Sequence, residues 1–198
     1  MKNRILLPVA VLSALLAAGC RNNESTTIND TAPDSSSGTR SSTTTGSTGG
    51  TVSTMSGADK EFVIKAGQGG IAEVSMGRMA MEKASHADVK AFGQRLVTDH
   101  GMANQELATL ATIKGLALGT EPGKEQKEAA EHLSKVSADD FDRMFVKHMV
   151  EDHDADVKAF ENASRTAQDA DLRAFAAKTL PTLQDHLRQI REIQSKLK

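Results

Sequence analysis

The chain has 198 residues, 38% hydrophobic and 25% charged, with a net charge of −2, six Phe, one Cys and neither Trp nor Tyr. A single cysteine excludes a disulfide scaffold. A near-neutral balance without a basic cluster excludes a nucleic-acid partner, whose phosphates demand net Lys and Arg. Every Phe and every His lies beyond residue 57, so the predicted folded part is 58–198, enough for one core of ordinary size.

Residues 1–19 read as a secretory signal. Lys2 and Arg4 give the positive start, Ile5 to Leu16 an apolar run broken only by Pro8 and Ser13, and Ala17, Ala18 and Gly19 the small residues before a cleavage point. The run is too short to span a bilayer as a permanent helix. Cys20 follows at once, in a setting that resembles the lipobox of bacterial lipoproteins, with Ala17 where that pattern usually has Leu. The resemblance implies lipidation of Cys20, export, and a membrane partner reached through the N-terminal lipid. In a cell with two membranes, Arg21 in place of Asp resembles outer-membrane sorting, which implies an outer-membrane anchor facing the periplasm. Residues 20–57 then form a tether. From Ser35 to Gly57 all but Arg40, Val52 and Met55 are Ser, Thr or Gly, a composition with too little apolar surface to offset chain entropy. As a flexible coil it would hold the domain roughly 30–36 Å from its anchor.

The remainder is rich in Ala, Leu, Lys, Glu and Gln, with only Pro122 and Pro181, and no strand is predicted. A first helix carries Phe62, Ala66, Gly69, Met76, Ala80 and Ala84 at three- and four-residue steps. Its Gly67, Gly69 and Gly70 predict close approach of a neighbouring backbone or a local kink. Ser85 with Asp88 predicts the N-cap of a second helix carrying Val89, Phe92, Leu96, Ala103, Leu107 and Leu110. Gly115, Gly119, Pro122 and Gly123 end it, and Lys124–Lys135 follows as a short charged helix. Ser137 with Asp140 opens a third long helix bearing Phe141, Phe145, Met149, Val157 and Phe160. Asp169 and Asp171 start the fourth, with Leu172, Phe175, Leu183 and Ile190 inward and a kink expected at Pro181. The expected fold is all-α, a four-helix bundle with one additional short helix.

Polar groups interrupt the apolar stripes. Asp99-His100, Asp152-His153 and Asp185-His186 place an Asp-His pair on each of the last three long helices, and Glu73 lies on the inner side of the first. Imidazole and carboxylate are ligands favoured by Zn, Fe, Mn and Cu, and bundles assemble such ligands from facing helices. The candidate metal ligands are therefore Glu73, Asp99, His100, Asp152, His153 and His186. Neighbours on a helix differ by about 100° in direction, so one member of a pair can ligate while the other supports it. The competing reading is a metal-free cluster in which carboxylate–imidazole hydrogen bonds fix helix register. His86 and His132 read as solvated, and Met76, Met79 and Met81 as packing rather than a copper site.

These residues together resemble the bacterial DUF4142 family, over about 59–195. The resemblance rests on Phe62-Val63, Gly69-Gly70 with Glu73-Val74, Gly77, Val89-Lys90-Ala91-Phe92, the Val-x-Asp-His segments at Val97 and Val150, Leu180-Pro181-x-Leu183 and His186-Leu187. It implies a ferritin-like bundle in an exported or lipid-anchored protein, and no particular reaction. The Glu-x-x-His pairs of ferritin-like di-iron proteins are missing here, as are nucleophile-elbow, P-loop and dinucleotide motifs. The expected function is a lipid-anchored, non-enzymatic envelope module for binding or stress. The alternative is storage, buffering or oxidation of a transition metal by the Asp, His and Glu set. A third reading makes Lys124–Lys135 a docking helix for an unspecified protein partner.

Overall fold

The computed structural model describes residues 55–197. The predicted signal, Cys20 and all but the end of the tether lie outside the described residues. Five helices follow in order: α1 (Gly57–Lys83), α2 (Ala87–Ile113), α3 (Lys124–Lys135), α4 (Ala138–Thr166) and α5 (Ala170–Lys196), with no strand among the described residues. No described helix is long and apolar enough to cross a membrane.

The sequence capped these helices with few exceptions. Ser56 accepts the Asp59 N–H at 3.1 Å to open α1. Ser137 accepts the Asp140 N–H at 3.3 Å to open α4, and Asp169 accepts from Asp171 and Leu172 at 3.0 and 3.1 Å to open α5. Each cap satisfies donors that the first turn leaves free. The cap of α2 is His86, whose Nδ1 accepts the Asp88 N–H at 3.2 Å, and not the expected Ser85. The expected start of the domain at residue 58 also falls inside the fold. Met55 is buried, and Ser56 is the α1 cap, because an apolar side chain and a capping hydroxyl end the Ser/Thr/Gly stretch. Pro181 sits inside α5 without ending it.

The long helices form two hairpins, α1 with α2 and α4 with α5. One apolar layer joins the C-terminal half of α1 and α5 to the N-terminal half of α2 and α4, with Met76, Phe92, Phe145, Met149 and Ile190 at its centre. The other joins the opposite halves through Val63, Leu107, Phe160, Leu172 and Leu183. Hence α1 and α5 run one way and α2 and α4 the other, and the connection from α2 to α4, which carries α3, must travel the length of the bundle. Leu133 anchors α3 in the first layer.

The hairpins match each other. Asp142 on α4 accepts the backbone N–H groups of Ser85 and His86 in the α1–α2 turn, the latter at 2.7 Å. Asp59 on α1 accepts those of Gln168 and Asp169 in the α4–α5 turn, at 3.1 and 2.9 Å. Asp59 and Asp142, Phe62 and Phe145, Val63 and Val146, and Phe92 and Phe175 stand at one constant spacing along the chain. The bundle is thus a helical hairpin used twice, each copy capping the turn of the other.

The expected close backbone approach at Gly67, Gly69 and Gly70 is found elsewhere. A Cβ on Gly77 would lie 2.7 Å from the Gly93 carbonyl oxygen, and one on Gly93 would lie 2.6 Å from that of Gly77, so the α1–α2 crossing is set there. Gly70 instead makes room for the Asn104 side chain, while Gly67 meets leucine side chains at ordinary distances and Gly69 meets nothing within 4 Å.

Candidate metal centre

Between the two apolar layers lies a polar one, built by one buried side chain from each long helix. Glu73 of α1, His100 of α2, His153 of α4 and His186 of α5 are at most 6% exposed. The three imidazoles face one another with ring centroids 5.3–5.6 Å apart. Each offers a nitrogen within 4.8 Å of the other two. Phe92 closes the layer on one side, its ring 6.0 and 5.9 Å from those of His153 and His186.

Two of the histidines form a hydrogen-bonding chain whose protons do not add up. His153 Nδ1 lies 3.1 Å from the Met149 carbonyl oxygen. His153 Nε2 lies 3.3 Å from His186 Nδ1, and His186 Nε2 lies 2.8 Å from Asp99 Oδ2. Both ends of this chain are acceptors, so His153 Nδ1 and His186 Nε2 must each carry a hydrogen to donate. A neutral imidazole has only one. His153 Nε2 and His186 Nδ1 are then lone pairs aimed at each other, and the chain is one cation short. A proton does not readily fill the place: burial, with His100 beside them, pulls His153 down to about 3 and His186 down to about 4. Burial lowers His100 as well.

Glu73 is the second anomaly. Its Oε2 lies 2.9 Å from His100 Nδ1 and its Oε1 lies 3.5 Å from His153 Nδ1. Neither approach is aligned for a hydrogen bond, so both carboxylate oxygens are buried without a partner, as is His100 Nε2. Burial, then the nearby Asp152 carboxylate, pushes the Glu73 carboxyl well above its ordinary range. Buried polar atoms are nearly always satisfied, and three orphans in one layer of this small domain therefore point to a ligand. The set, three imidazoles and a carboxylate that are all buried, suits a transition-metal ion.

The supports differ around the layer. Asp99 is half-buried. Burial alone would raise its carboxyl, but hydrogen bonds from His186 and Arg95 outweigh that and hold it below the usual range. Arg95 bonds Asp99 at 3.2 Å and Gln189 at 3.0 Å, locking α2 to α5 behind His186. A carboxylate behind a metal-facing imidazole fixes its tautomer and orientation. Asp185, of the third Asp-His pair, stays outside and meets Arg95 and Arg188.

Of the six residues singled out in the sequence, Glu73, His100, His153 and His186 converge, Asp99 stands directly behind them, and Asp152 turns aside. It is half-buried in a cleft between α1 and α4. Asp156, Asn104, Arg95 and Gln189 also border or brace the site, outside the Asp-His pattern. The four-residue steps from Asp152 to Asp156 and from His100 to Asn104 were the available signals for the first two. His86 caps α2, His132 is exposed, Met76 is core and Met81 is exposed.

No curated protein matches the sequence. Among solved structures, a DUF305 fragment from Deinococcus radiodurans is similar with a TM-score of 0.63 at 12% identity, covering 72% of this chain and 98% of that one. CopM in its Cu(II)-bound form is similar with a TM-score of 0.61 at 16% identity, covering 71% of this chain and 97% of that one. At these identities the likeness concerns the helical fold. The model of the family described as "Domain of unknown function (DUF4142)" matches residues 45–193, and the chain belongs to that family.

Proposed function

We propose that this chain is a lipid-anchored envelope protein whose bundle holds one transition-metal ion at His100, His153 and His186, with Glu73 completing the ligand set. The carrying observation is the pair of facing lone pairs on His153 Nε2 and His186 Nδ1, 3.3 Å apart. A metal-free cluster would close its hydrogen bonds, and this one cannot. Copper(II) is the first ion to test. It stands highest in the affinity order for nitrogen and oxygen ligands, and CopM, of similar fold, has been captured with Cu(II). The burial of all four side chains favours holding or buffering the ion over turning over a substrate.

The full-length protein in detergent micelles should bind about one Cu²⁺, and the ion at a hundredfold its dissociation constant should add about 2.7 kcal/mol of stability. H100A and H153A should abolish both. Superimposable melts with metal and with chelator, and no stoichiometric ion, would overturn the reading. The anchor is tested separately: C20S should move the protein out of the membrane fraction, and continued detergent-dependent retention would contradict it.

A further inference from the structure

Beside the histidines lies a cavity of about 20 Å³, lined among others by Glu73, His100, Asn104 and Asp156. That volume is enough for one water molecule or one ion. His153 and His186 do not line it, so it is distinct from the nitrogen-rich position between the rings. Asp156 also lines, with Asp152, an open cleft of about 520 Å³ between α1 and α4, bordered by Gly123–Gln126 at the start of α3. The cleft and the cavity share Ala66, Asp156 and Phe160, so they adjoin.

We propose that Glu73 and Asp156 form a second, oxygen-rich cation position at the inner end of this cleft, which takes a hard divalent ion of the Mn²⁺ class. This deepens the metal-holding reading, because Glu73 and His100 border both positions. Three observations carry it. Both Glu73 oxygens are buried and unpartnered, and so is His100 Nε2. Asp156 stands in the second hairpin at the place Glu73 occupies in the first, by the same spacing that relates Asp59 to Asp142. The hairpins therefore bring matched carboxylates to the cavity from α1 and α4. Among the described residues, neither carboxylate is paired with Lys or Arg, since the cleft's Lys65 pairs with Glu61 and its Lys124 with Glu128. A divalent cation in the cavity would be held by carboxylate oxygen, the ligand such ions prefer.

Mn²⁺ titration of the full-length protein, followed by loss of the free-ion electron paramagnetic resonance signal, tests this. Wild type should bind one Mn²⁺. D156N should bind it about tenfold or more weakly, D156E should retain it, and H153A should retain it while losing Cu²⁺. D156N removes a repelling charge, so its melting temperature in chelator should equal or exceed that of wild type. Undiminished Mn²⁺ binding by D156N, no Mn²⁺ bound by wild type, or joint loss of Mn²⁺ and Cu²⁺ in H153A would overturn the second position. If Cu²⁺ leaves the melt unmoved while Mn²⁺ binds through Asp156, the histidine reading fails and this one stands.

Discussion

Asp59 and Glu73 stand on the same helix, both almost fully buried at 3% and 1% exposed. Asp59 accepts the backbone N–H groups of Gln168 and Asp169 and ties the second hairpin's turn to α1. Glu73 has no hydrogen bond to either oxygen. Burying a carboxylate costs free energy unless hydrogen bonds or opposite charge replace its water. At Asp59 the fold supplies the replacement, and the residue belongs to the architecture, as its counterpart Asp142 does. At Glu73 the fold supplies none, and the cost is retained for a ligand to relieve.

Removing each acid should separate these roles. D59A leaves two turn donors without their acceptor and should lose about 2–3 kcal/mol, read from the denaturant midpoint. Its metal-induced rise in melting temperature should persist, because the centre lies in another layer. A D59A protein as stable as wild type would break the comparison. The effect of E73Q on the metal-free protein should be smaller and opposite. The folded carboxyl is raised above its unfolded value of about 4.3, so wild type loses stability as pH rises past that value, whereas Gln does not titrate. The E73Q melting temperature in chelator should therefore exceed wild type's by a margin that widens from pH 4.5 upward. Its metal-induced rise should shrink or vanish. A constant margin across pH would mean that Glu73 titrates normally and is not the strained group described.

Much of the bundle was legible along the chain. The apolar steps Phe141, Phe145, Met149 and Phe160 predicted the inner face of α4, and the Ser137 and Asp169 caps predicted two helix starts. The bounds of α3 came from Gly and Pro on one side and the next cap on the other. His86 caps α2 in place of the expected Ser85 because its ring nitrogen accepts the Asp88 N–H, while the Ser85 N–H is taken by Asp142, an acceptor far away in sequence. The candidate site was legible as a list and illegible as an arrangement. Neighbouring helical residues point about 100° apart, so only the rotation of each helix in the bundle decides which member of an Asp-His pair turns inward. That rotation put His153 inside, sent Asp152 to the cleft, and set Asp99 behind His186 on another helix.

The sequence by itself determined the helices, their stripes and the types of ligand available, because periodicity and capping are local properties of the chain. Only the tertiary structure decided that four of those groups share one layer, that two imidazoles face each other with their hydrogens already committed, and that Asp156 stands opposite Glu73. These depend on how the hairpins meet, and that is settled by packing across the bundle rather than by any residue's neighbours in sequence.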